Sequence, residues 1–82
     1  MELVKINWID AFSEARWMRV DEAEEWGEDP YIIESIGWIV TETADYVVLA
    51  ASVSWSDDKV SSMTAIPVVC IKDRYVIKQT ID

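Results

Sequence analysis

An 82-residue chain has room for one domain, and at that length it buries roughly 60–65% of the surface its unfolded form exposes. Yet 51% of it is hydrophobic and five residues are Trp, more apolar material than so small a core hides, so a share is expected at an interface or pocket. Sixteen acids against seven bases give a net charge of −9, and Lys5, Arg16, Arg19, Lys59, Lys72, Arg74 and Lys78 are scattered among them, which disfavours direct binding of DNA, RNA or an anionic membrane.

In chain order, Leu3–Ile9 alternates, with Val4, Ile6 and Trp8 separated by Lys5 and Asn7, the period of a half-buried first strand. Residues 10–30 change character and form an acidic insertion holding eight of the sixteen acids. Within it Asp21, followed by Glu24, predicts a capping box over a short helix at about Glu22–Trp26, stopped by Gly27. Ala11–Met18 suggests a further turn of helix. After Pro30, Tyr31–Glu42 reads as a second strand, and Gly37 in its middle predicts a bulge or bend. Thr43, Ala44 and Asp45 make a tight turn into Tyr46–Trp55, and the polar turn Ser56–Lys59 leads to Val60–Ile66. Pro67 breaks the ladder, and Cys70–Lys78 is the fifth strand, with Ile71, Tyr75 and Ile77 opposite Lys72, Arg74 and Lys78.

The third strand carries the functional argument. Ala44–Val53 is apolar on both strand faces, so one face packs a core and the other needs a second cover. Five short strands predict a small β-barrel, since a flat sheet would leave one apolar face wet. The run IESIGWIV (33–40), DYVVLAAS (45–52) and MTAIPVVCI (63–71) resembles SH3-like and Sm-like small barrels, and more narrowly small phage-type proteins of unknown function with an Sm-like fold. The resemblance implies a ring in which the fourth strand of one subunit pairs with the fifth of the next. It does not extend to RNA chaperoning: Met63–Pro67 stands where bacterial Sm-like chaperones have a basic, His-containing motif, and it holds no His, Lys or Arg.

No Ser/His or Cys/His pair, glycine-rich phosphate loop or metal-ligand spacing is present, and enzyme activity is not expected. Six acids between Asp21 and Asp29 read as a solvated face rather than a cation site, lacking the spacing of a calcium loop. Asp57 and Asp58 suit a hairpin turn. Glu34 is expected to be half-buried and paired with Arg74 or Lys72. Cys70, between Val69 and Ile71, reads as a small core hydrophobe and forms no intrachain disulfide. Trp8 and Trp38 are expected inside the barrel, while Trp17 and Trp26 in the acidic insertion are candidate recognition aromatics.

These readings make 1–82 one mostly β domain with no cofactor, a five-stranded SH3-like or Sm-like barrel with a partly helical acidic insertion between its first two strands. The expected function is a non-enzymatic homo-oligomer, a ring acting as a binding or scaffold module, with Tyr46, Val48, Ala50, Trp55, Met63 and Cys70 at the interface. Two rivals stand beside it. One is an acidic decoy that imitates nucleic-acid phosphates and occupies a host nucleic-acid-binding protein; the other sequesters a small ligand between subunits at Trp17 or Trp26. The N-terminal MELVKINWID has an acid at position 2 and no long apolar run, which predicts no signal peptide and a cytoplasmic setting.

Overall fold

A computed structural model describes residues 1–11 and 13–78. Five antiparallel strands, β1 (Leu3–Ile9), β2 (Ile32–Glu42), β3 (Tyr46–Ser54), β4 (Lys59–Pro67) and β5 (Ile71–Val76), form one sheet in the order β4-β3-β2-β1-β5. A seven-residue helix, α1 (Val20–Trp26), lies in the connection between β1 and β2, and a 3-10 turn (Val68–Cys70) joins β4 to β5. The ladder does not close: β4 and β5 are the two edges of an open sheet.

The sheet is nonetheless strongly coiled. Arg74 on β5 stands across Ile6 of β1, which in turn faces Ser35 of β2. Glu42 lies 42 − 35 = 7 residues further along β2. On a flat sheet that is about 23 Å along the strand, yet Arg74 Nη1 donates to Glu42 Oε1 at 2.7 Å. The far half of β2 must therefore curl back over the inner face. Two local features permit it. The β2–β3 register shifts between Ile39 and Thr41, leaving Val40 as the extra residue of a bulge. At Gly37 the strands approach so closely that a Cβ would sit 2.8 Å from the Ala50 carbonyl oxygen. Glycine is thus required there for close approach; the bulge expected at Gly37 falls three residues later.

The curled inner face holds the core: Val4, Ile6, Val47, Leu49 and Ile66 are buried, with Trp8, Ile39 and Ile71 packed against them. Burying each such aliphatic side chain contributes roughly 1.5–3 kcal/mol. Trp8 meets its polar requirement by donating Nε1–H to Ser35 Oγ at 3.0 Å. The β2–β3 turn forms as its sequence predicts, with Thr43 Oγ1 accepting from the backbone N–H groups of Asp45 and Tyr46. The Val68 N–H donates to the Asp45 carbonyl, tying the turn after Pro67 to the same end of the sheet.

Several expectations are corrected. Trp38 is paired with Leu3, on the face opposite Val4 and Gly37, so it packs outside the core and not within it. The ladder skips Lys72 between Asp73 and Ile71, which puts Ile71 on the core face with Trp8 while Tyr75 shares the outer face with Lys5. Glu34 is exposed, and Arg74 pairs with Glu42 instead. Asp21 is no cap: α1 begins at Val20 after Arg19, which makes no side-chain capping bond. Gly27 does end the helix, though with right-handed backbone rather than a left-handed cap. Ala11 and residues 13–18 are not helical, and Phe12 lies outside the described residues.

Candidate interaction site

Cross-strand pairing fixes which side chains share the outer face, because partners in register point the same way. Met63 pairs with Ala50, Ala50 with Trp38, and Trp38 with Leu3. At the far edge the Ile77 N–H donates to the Leu3 carbonyl, carrying the row to the end of β5. One apolar row therefore crosses the whole sheet on the side away from the core. Val48 with Ala65 and Tyr46 with Pro67 extend it along β3 and β4. Trp55, just past β3, meets Trp38 edge-to-face with ring centroids 5.4 Å apart. Met63 is 58% exposed, Trp55 62% and Ile36 56%.

Of the six expected interface residues, Tyr46, Val48, Ala50 and Met63 fall on this face, with Trp55 at its margin. Their access differs. Tyr46, Trp55 and Met63 are exposed, and Val48 is half-buried. Ala50 is wholly buried within the chain, so it is a floor and offers no surface of its own. Cys70 sits half-buried in the 3-10 turn, outside the row. Sequence reasoning missed Leu3, Ile36 and Trp38. The signal was the position of Gly37: opposite Val4 it faces the core, and its neighbours Ile36 and Trp38 must then face out. Polar contacts on the same face fasten β5 to β1, with Asn7 Nδ2 donating to Asp73 Oδ1 at 2.7 Å and Lys5 Nζ lying 5.1 Å from the Tyr75 ring centre.

The second site is the arm formed by residues 10–31. Its base is pinned by the Asp10 N–H donating to the Tyr31 carbonyl at 2.9 Å, and α1 buries none of its residues. Trp17, Met18, Ala23 and Trp26 line an open groove of about 370 Å³, with Glu14, Ala15 and Arg16 completing its wall. Both candidate recognition aromatics thus come to one place. Trp17 projects fully exposed, and Trp26 is about one-third exposed. Arg16 lies 3.8 Å from a Glu14 carboxylate oxygen and Arg19 3.2 Å from one of Asp21.

Among the described residues no group of three or more His, Cys, Asp or Glu side chains could hold a metal ion, and no helix is long and apolar enough to cross a membrane. No family model, curated protein or solved structure matches this chain.

Proposed function

We propose that this protein is a non-enzymatic Sm-like barrel module that assembles with copies of itself into a scaffold or binding platform. The observation that carries the reading is the apolar row from Met63 through Ala50, Trp38 and Leu3 to Ile77 on the face away from the core. A stable contact needs about 800 Å² from each partner, and on this face Tyr46, Ile36, Met63 and Trp55 are each about half exposed or more.

The 3-10 turn between β4 and β5 supports the barrel reading, since a one-turn break between the last two strands is what the resemblance to Sm-like proteins implies. β4 and β5 are also the sheet edges that the implied pairing between subunits needs. The two sheet edges, β4 and β5, each leave one row of backbone N–H and C=O groups without a ladder partner in the sheet. Pairing the edge of one copy with that of the next satisfies these groups and brings the Met63 end of one apolar row beside the Ile77 end of the next. Sedimentation equilibrium at micromolar concentration tests the proposal. Multiples of the chain mass are expected, and Met63→Lys is expected to shift them toward monomer with the β-sheet circular dichroism retained. A wild-type chain that stays monomeric throughout overturns it.

A further inference from the structure

We propose that the groove on the arm binds a basic, arginine-bearing peptide segment of a partner protein. The inference goes beyond assembly and does not rest on it, for the groove shares no residue with the outer face of the sheet.

The lining of the groove and the charge of the arm argue for the same ligand. Met18, Ala23 and Trp26 supply an apolar floor, and Trp17 beside them is 100% exposed, its indole projecting into solvent. From Asp10 to Pro30 the arm has eight acids and two bases, so 8 − 2 = 6 of the nine net negative charges lie here. Both bases are already engaged, Arg16 with Glu14 and Arg19 with Asp21. Glu22, Glu24, Glu25, Glu28 and Asp29 take part in no ion pair among the described residues. The groove wall itself carries Glu14, already paired with Arg16. Glu22 stands one helical turn before Trp26 on the same side of α1, and Glu25 follows Glu22 one turn on.

An anionic ligand is repelled by the net charge of the arm, and a bare cation leaves the exposed Trp17 indole unused. A guanidinium suits both features. It is planar, weakly hydrated and always charged; it stacks on an indole face while its outer N–H groups donate to carboxylates. Its aliphatic stem packs on Met18 and Ala23. The field of the remaining carboxylates steers a basic segment toward the arm, and that attraction weakens with salt.

Fluorescence anisotropy with a labelled short peptide of arginines spaced among leucines and glycines tests this. The wild-type chain is expected to bind it at low salt and to weaken as salt rises. The same peptide with Glu in place of Arg is expected not to bind. Trp17→Ala, which removes a fully exposed side chain and leaves the sheet intact, is expected to weaken binding roughly 5- to 10-fold. Glu22→Gln with Glu25→Gln is expected to weaken it about threefold, whereas the equal charge change Asp57→Asn with Asp58→Asn in the β3–β4 turn alters it by less than about twofold. No binding at low salt overturns the proposal. So does equal binding by Trp17→Ala, or a loss as large from the turn variant as from the arm variant, since either leaves only diffuse attraction. Subunit number, which tests the assembly, is read separately.

Discussion

The sheet and the arm use similar residues to opposite ends. In the sheet, Val, Ile and Leu alternate with the strand period, so the inner face closes over Ile6, Val47 and Ile66 and holds the fold. In the arm, residues 20–31 are all exposed, and of two tryptophans that would anchor a core elsewhere, Trp26 ends a short acidic helix and Trp17 stands in the segment before it. A seven-residue helix is too short to be stable alone, and its arm is tied to the sheet by the Asp10–Tyr31 backbone hydrogen bond at the base. The difference separates stability from recognition: substitutions in the inner sheet should unfold the protein, while substitutions in the arm should change only what it binds.

The largest break in that contrast is expected from Leu49→Ala. It removes a buried side chain beside Val4 and Ile66 and should cost about 2–4 kcal/mol in urea unfolding. Trp17→Ala deletes a far larger side chain yet should move the same midpoint by less than about 0.5 kcal/mol. A comparable loss from both would end the division. Next comes Gly37→Ala, whose Cβ meets the Ala50 carbonyl oxygen at 2.8 Å and Leu49 Cβ at 3.1 Å. Backbone cannot yield cheaply there, so a loss of about 1–3 kcal/mol is expected. An unchanged midpoint would show that β2 and β3 separate freely. The smallest effect belongs to Arg74 and Glu42, whose side chains are both about two-fifths exposed. A double-mutant cycle to Ala should give a coupling of less than about 1 kcal/mol; zero coupling would remove this contact as a clasp on the curled sheet.

Much of the sheet was legible because strand alternation and turn chemistry are local. Leu3–Ile9 matched residue for residue, and Thr43–Asp45 turned where its hydroxyl could accept backbone N–H groups. What escaped was register, which is not local. Ile32–Val40 is apolar on both faces, and only pairing Gly37 with Val4 decides that Trp38 points outward. The bulge at Lys72 escaped for the same reason: alternation within β5 alone placed Ile71 with Tyr75, and the ladder to β1 separates them. In the arm the helix was visible in its acids and in Gly27, but its cap was not, since Asp21 falls inside the first turn. That Trp17 and Trp26 line one groove depends on the fold of a connection that no sequence period describes.

Hydroxyl-radical footprinting across a dilution series tests most directly whether copies of the chain cover the outer face. Oxidation of Met63 and Trp55 should fall several-fold between nanomolar and micromolar protein, while Trp17, out on the arm, reacts at a constant rate. Met63 and Trp55 reacting as fast in concentrated as in dilute protein would contradict the account.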